Sequence, residues 1–567
     1  MSAPPTTATA LLRRAIGRHR GAVLASSALM TSWQVCESLV PVLIGIVIDQ
    51  AVASGDTSRL LGWASALCLL FAVLSYSYRY GARIGFRALQ EETHALRTEV
   101  SAHVLDPRGA RTDRLPGDVL TIATADADMV GVVIRQLTMT AGALVGLSVS
   151  AVALATIDVR IALVVLVGVP LVLALTQALS PRLARRSEAR QESIGRATGV
   201  ATDLVRGLRP LKGIGAETIA LERYREVSRR AVDDAVAASR WEGVLHGLTA
   251  GLSGLFLAAV ALLAGLLAID GQLSIGELIA VVGLAQFVAE PIALLSYLVA
   301  QVAQSRASAQ RIVDFLASPP LVLEGDQAAG AAASLALSDV VSGPLRGLSV
   351  SIAPGRLVAL VVEDPAEAQE IVTLLRGEAV PERGRVELSG AVLTDLGVDH
   401  ARSLLVVADH HVDLFEGTLL SNVDPAGALS EARLATVVAA SAVDDVAEHS
   451  ADGLRTQVRV GGTSLSGGQR QRLGLARALA ADPPVLVLHD PTTAVDAVTE
   501  HRIARALRDL RHGTDRRTTL VLTSSPALLV VADEVVHVRA GVAVAVGTHH
   551  ALVADLGSSA YREAVLR

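Results

Sequence analysis

Six apolar runs long enough to cross a bilayer lie near residues 22–50, 59–82, 134–157, 160–180, 243–269 and 275–300. Beyond about residue 305 the pattern changes to short apolar stretches of strand length alternating with polar, helix-compatible ones. This predicts an all-α, six-helix membrane domain over 1–315, followed by a C-terminal α/β domain over 330–567.

The connections between the runs alternate in length. Those after the first, third and fifth are a few residues each: Ser54-Gly55-Asp56, Ile157-Asp158-Val159 and Asp270-Gly271-Gln272. Those after the second and fourth run to roughly fifty residues or more and are rich in arginine. Arg83, Arg87, Arg97, Arg108, Arg111 and Arg114 belong to the first, and Arg182, Arg185, Arg186 and Arg190 to the second. Arginine-bearing loops mark the cytoplasmic side. Residues 1–20 carry Arg13, Arg14, Arg18 and Arg20 ahead of a run too long for a cleaved signal peptide, so a retained first span with a cytoplasmic N-terminus is expected.

Composition narrows the chemistry. Hydrophobic residues make up 51% of the 567 and charged ones 19%, a membrane-type balance for part of the chain. A net charge of −6 gives no sign of nucleic-acid binding. Cys36 and Cys68 fall in apolar runs and read as small hydrophobes. Lys212 is the sole lysine, so chemistry that needs a lysine anywhere else is excluded.

One motif stands out. Leu465-Ser466-Gly467-Gly468-Gln469-Arg470-Gln471-Arg472 opens a helical run, and its serine and glycines suit a helix N-terminus that approaches a phosphate. Downstream, the apolar strand Val485-Leu486-Val487-Leu488 leads into His489-Asp490-Pro491-Thr492-Thr493-Ala494-Val495-Asp496. Together with the six spans, these residues resemble the exporter-type ABC transporters. Leu465 to Gln469 match that family's LSGGQ signature, 485–490 its Walker B strand, and Asp496 its D-loop aspartate. Pro116-Gly117-Asp118 with Asp126-Ala127-Asp128 is similar to its first intracellular loop. Gly207 to Lys212 with Glu217, and Ser305 to Ile312, are similar to later segments of its membrane domain. The resemblance implies a P-loop-NTPase-like nucleotide-binding domain and a multi-pass subunit of a bacterial plasma membrane. It also implies two nucleotide-binding domains arranged head to tail, each ATP held between one chain's phosphate loop and the other's signature.

Against that pattern the chain's own ATP site is depleted. After the strand Leu357-Val358-Ala359-Leu360-Val361 the phosphate loop should carry glycines, a lysine and a hydroxyl. The sequence is Val362-Glu363-Asp364-Pro365-Ala366-Glu367-Ala368-Gln369-Glu370, with Ala368 at the lysine position. The Walker B carboxylate pair becomes His489 and Asp490, the Q-loop glutamine His410, and the switch histidine Ser524. No aromatic lies between Leu335 and Val350 to stack on adenine. His410 and His489 come from separate loops without metal-ligand spacing, and no metal site is expected.

The resemblance therefore implies a heterodimer. This chain's site is inactive, while Leu465, Ser466, Gly467, Gly468, Gln469 and Asp496 act in trans. ATP and Mg²⁺ are held mainly by a second half-transporter with a complete Walker A and Walker B. Glu363, Asp364, Glu367 and Glu370 are expected to face that partner's signature region. A non-catalytic homodimeric scaffold or regulator, and an importer of a compound such as a siderophore, remain open. Glu37, well inside the first run, is the transport-path candidate, and a helix–helix hydrogen bond fits it equally. His246 and Glu290 are weaker candidates nearer the membrane surface. No residue pattern selects the transported substrate.

Overall fold

The computed structural model describes residues 5–178, 180–323, 325–330, 332–512, 517–555 and 559–565. Residue 179, inside the fourth expected span, and residues 1 and 567 at the expected domain limits lie outside the described residues. The chain forms two compact units. One comprises Met1–Ala102 and Asp113–Ala317, the other His103–Thr112 and Ser318–Arg567.

The first unit is helical throughout. Its long helices are Arg20–Val47, Thr57–Val104, Ala127–Ile157, Val159–Gln177, Ser180–Arg206, Glu217–Ile269 and Ile275–Leu316, with an amphipathic Ala8–Arg18 helix ahead of them. Five of the six expected spans lie in helices long and apolar enough to cross a bilayer, among the described residues. The fourth has only the shorter apolar stretch Val159–Leu175, about 26 Å at helical rise. Leu61, Leu69, Leu163, Leu171, Leu255 and Leu262 all point outward, as expected of helices solvated by lipid rather than water.

Small residues let these helices touch. A Cβ at Gly276 would lie 2.1 Å from the carbonyl oxygen of Gly45, and one at Gly142 would lie 2.9 Å from that of Met30. Asp49 reinforces the first crossing, accepting from the Gly276 N–H at 2.9 Å and from the Ser274 hydroxyl. The fully buried Glu92 accepts from Arg18 at 3.0 Å and pairs with His19 at 3.1 Å, fixing the joint between the amphipathic helix and the first span.

The second unit is α/β. Its main sheet has six strands in the order Val542–Gly547, Glu534–Arg539, Leu357–Val362, Thr518–Leu522, Val485–His489 and Leu405–Ala408. All neighbours run parallel except the first pair. The central strands are buried on both faces, which is why they read as continuous Val/Leu runs without alternation. A smaller antiparallel sheet orders Leu345–Ile352, Leu335–Ser342, Arg383–Leu388 and Ala391–Val392. Parallel strands end at one edge, so Val362, Ala408, His489 and Leu522 all deliver their following loops to the same side, where α/β sheets bind ligands.

The Gly45–Gly276 crossing makes a prediction. Gly276→Ala places a methyl group against backbone that cannot yield, at a cost of about 1–3 kcal/mol. The detergent-solubilised chain should melt several degrees lower by size-exclusion thermal assay, whereas Gly62→Ala, in open space, should not shift the curve.

Candidate nucleotide half-sites at two helix N-termini

The strand Leu357–Val362 passes almost directly into the helix Pro365–Leu375, leaving only Glu363 and Asp364 between them. Pro365 occupies the first helical position and Asp364 the N-cap, a favourable pairing for a helix start. Ala366, Glu367 and Ala368 are thus helical, and no glycine-lined loop remains to wrap a polyphosphate. The Asp364 carboxylate accepts from the Ala366 N–H at 2.8 Å, and the Asp364 carbonyl accepts from Glu367 and Ala368. The end of the helix that would attract a phosphate is occupied by the chain's own anion.

The other three acids are all engaged within the chain: Glu363 stays exposed, Glu370 is half-buried and Glu367 is buried. Glu363 accepts from His537 at 2.9 Å and from Arg539 at 3.4 Å. Glu370 accepts from the Ser342 hydroxyl. Glu367 is 4% exposed, with one carboxyl oxygen buried and without a partner. Only Asp364 of the four is both exposed and clear of a side-chain partner among the described residues, so the four acids do not form an outward-facing cluster. The physical reason is that helix formation from residue 365 sets Glu367 and Ala368 on the face packed against the core. Burial pushes the Glu367 carboxyl up, and the nearby Asp364 and Glu363 add to this while the Gly541 N–H opposes it.

The other positions expected to be degenerate also gather at this sheet edge. His410, His489 and Asp490 line one cleft of about 360 Å³ together with Arg376, Asp409 and Gln471. The imidazoles of His410 and His489 stand 5.8 Å apart, and His489 Nδ1 lies 3.6 Å from Asp409. Asp409 is also bound by Arg376 at 2.8 Å. Asp490 adopts a left-handed backbone, φ 46°, and burial raises its carboxyl while the two histidines oppose this. Among the described residues no group of three or more His, Cys, Asp or Glu has metal-holding geometry. Ser524 is exposed and lines a separate polar pocket of about 430 Å³ with Glu363 and Arg539.

The second helix N-terminus is built differently. Ser466 caps the helix Gly467–Ala480 in a reciprocal box: its hydroxyl accepts from the Gln469 N–H at 3.3 Å, and its N–H donates to Gln469 Oε1 at 2.9 Å. There is no acid in the first turn, Ser466 is exposed, and Leu465, Gly467, Gly468 and Gln469 are partly so. This N-terminus is neutral, open and able to accept an anion. A Cβ at Gly468 would lie 2.5 Å from the carbonyl oxygen of Ala494, so this glycine is also required by the chain's own segment 491–496. Asp496, at the end of that segment, caps the helix Ala497–His512 by accepting from Val498 and Thr499 N–H, which lowers its carboxyl.

Sequence reasoning passed over Gln471. It lies on the buried stripe Gln471, Leu475, Ala478, and a polar side chain at a core position was the available signal. In the membrane unit, Glu37 sits mid-span in Arg20–Val47, with one carboxyl oxygen buried and unpartnered, and Glu290 lies exposed beside Pro291.

The fold and these two helix ends define a helical membrane protein that carries an α/β nucleotide-binding type of unit on the same chain. Residues 28–292 match the model of the ABC transporter transmembrane region, and 345–493 that of the ABC transporter family. A mycobactin import ATP-binding/permease protein of Mycolicibacterium thermoresistibile is 31% identical over 580 aligned positions, 96% of each chain. A multidrug efflux ATP-binding/permease protein of Mycobacterium bovis is 28% identical over 94% of this chain, which spans only 45% of that longer protein. A solved bacterial Atm1-family ABC exporter with ATP bound shares the fold, with a TM-score of 0.74 over 98% of both chains at 22% identity. The chain belongs to the ABC transporter family.

The buried Glu367 gives a pH-dependent prediction. Its raised folded-state value means the native state holds the proton more tightly than the unfolded chain, so its stability contribution is greatest below the ordinary glutamate range. That contribution falls as pH rises through the raised value. Glu367→Gln should therefore melt close to the unmodified protein near pH 4.5, and above it at pH 8. A gap that shrinks with rising pH contradicts the assignment.

Proposed function

We propose that this chain is the catalytically silent half of a heterodimeric, ATP-driven membrane transporter, completing a partner's ATP site with its signature helix. The observation that carries the reading is the contrast between its two helix N-termini. Asp364 fills one with negative charge, while Ser466 leaves the other neutral and open. In this reading the partner supplies the phosphate loop, the Mg²⁺-binding carboxylate and the glutamate that orients water. Ser466, Gly468, Gln469 and Asp496 of this chain contribute the opposing wall. His410, His489, Asp490, Ser524 and Ala368 take no part in hydrolysis. The 45% coverage of the M. bovis efflux protein supports a missing half, since that chain has room for a second one. Transport takes place across a bacterial plasma membrane, with Glu37 lining the path.

Photolabelling tests the division of labour. With an azido-ATP analogue on the complex purified from its native host, the partner should label and this chain should not. Equal labelling of both chains sinks the reading, and recovery of a homodimer alone favours a non-catalytic scaffold.

The kinetic asymmetry should be large. Ser466→Arg should abolish ATPase activity of the complex, about 100-fold or more, by placing bulk and charge where the γ-phosphate binds. Asp490→Asn should change it less than about twofold. Ser466 is a cleaner probe than Gly468, where any side chain first meets Ala494. If Asp490→Asn stopped hydrolysis as fully as Ser466→Arg, nucleotide would have to be turning over beside Asp490.

Import is a second reading, favoured by the end-to-end match to the mycobactin import protein. Loss of iron–siderophore uptake in a deletion strain supports it. Drug hypersensitivity with unchanged iron uptake supports efflux.

A further inference from the structure

We propose that Gln471 is a positioning residue of the composite ATP site, locking the signature helix to the segment Pro491–Asp496 so that Ser466 and Asp496 reach the partner's nucleotide as one rigid unit. This rests on the reading that the signature acts in trans.

Gln471 lies one turn into the signature helix and is 9% exposed. A buried amide must use both its ends, and this one does. Its Oε1 accepts from the Ala494 N–H at 2.8 Å, and its Nε2 donates to the Thr493 hydroxyl at 2.7 Å and, more weakly, to the Asp490 carbonyl at 3.5 Å. Every contact falls on the segment that links the end of the Walker B strand to Asp496. The same segment closes on itself, Val495 N–H donating to the Thr492 carbonyl at 3.0 Å, and Thr492 is held by Glu500 at 2.7 Å.

Packing makes the junction close. Ala494 lies against the first two helical residues: a Cβ at Gly467 would touch its methyl at 3.5 Å, and one at Gly468 would strike its carbonyl. Glycines bring the two segments together, and Gln471 fixes their register by hydrogen bonds. Without the amide, the segment keeps only shape contact on the signature side, while its other ties, Thr492 to Glu500 and the Asp496 cap, both lie on the far side.

The degenerate Walker B end thereby acquires a use that needs no nucleotide. Asp490 keeps its left-handed backbone, and its N–H donates to the Leu522 carbonyl at 2.9 Å, anchoring the segment to the sheet while its carbonyl turns toward Gln471. Because displacements of about 1 Å in a catalytic constellation can cost about 100-fold, a loosened segment should act on turnover more than on ATP capture, which the partner's phosphate loop dominates.

Steady-state ATPase kinetics of the complex purified from its native host test this. Gln471→Met keeps the volume and removes all three side-chain hydrogen bonds, and Thr493→Val, at an exposed position, removes one of them. Gln471→Met should lower kcat about 10-fold with KM for ATP within about twofold, and Thr493→Val should lower kcat by less. The double variant should be no slower than Gln471→Met alone, as expected of two groups in one contact. Unchanged kcat in both variants, or kcat losses that multiply in the double, overturns the proposal. If Gln471→Met does not assemble, Thr493→Val decides: a fall in kcat at constant KM supports the link, and an unchanged kcat overturns it. Ser466→Arg run beside them separates the two readings. If it leaves ATPase activity unaffected, the trans signature itself fails; if it abolishes activity while Gln471→Met and Thr493→Val are silent, only the positioning role fails.

Discussion

A helix N-terminus can hold one anion at close range, and which anion it holds decides what the surrounding loop can do. In the Pro365–Leu375 helix that place belongs to Asp364, whose carboxylate is tethered beside the N–H groups it caps. A charge there is worth about 0.3–1 kcal/mol to the helix, and the same charge repels a polyphosphate. The consequences spread. With Pro365 at the first helical position the phosphate loop shrinks to two residues, the helix begins early, and Glu367 and Ala368 rotate onto the core face. An alanine at 368, where a lysine was expected, is therefore one feature among several that go with this backbone start. Restoring a lysine there would bury its stem against the sheet without restoring any cradle for the phosphates.

The signature helix shows the opposite solution with the same elements. A neutral serine caps it, two glycines follow, and the reciprocal Ser466–Gln469 box satisfies the end without adding charge. The glycines have two constraints on them, since they also admit Ala494 of the neighbouring segment. A motif constrained from both sides tolerates less change than one constrained by ligand alone. Part of LSGGQ is thus fixed by the fold of this chain, while the openness of Ser466 is not explained by internal packing.

How much of this was legible depended on whether residue identity or residue direction carried the information. The spans were legible because lipid-facing helices need only uninterrupted apolar length, and five of the six are long enough among the described residues. The central strands were legible as buried Val/Leu runs, and residues 362–370 hold no lysine or glycine. Direction was not legible. Four acids in nine residues looked like an exposed negative patch, yet Glu363, Glu367 and Glu370 each turn toward their own chain. Nothing in the spacing reveals a helix start at 365 until Asp364-Pro365 is read as a cap rather than as a loop remnant. Gln471 was hidden inside the most recognisable motif in the chain, where attention goes to the phosphate-facing residues rather than to the buried face behind them.

The two helix ends also bear on what the chain pairs with. In a head-to-tail pair of identical copies, each composite site would set Ser466 of one copy against Asp364 of the other. With Asp364 capping the facing helix in both sites, the same negative charge would oppose a nucleotide in each, and the symmetry would make the two sites alike. Such a homodimer would have no ligand to preserve an uncharged, exposed N-terminus at Ser466. It would gain from a shorter, directly contacting interface in its place. The proposed pairing, with a chain whose phosphate loop is complete, would leave one site empty and give the other both of its walls. In the proposed heterodimer the open signature would answer to another chain's chemistry, and the self-capped loop only to its own.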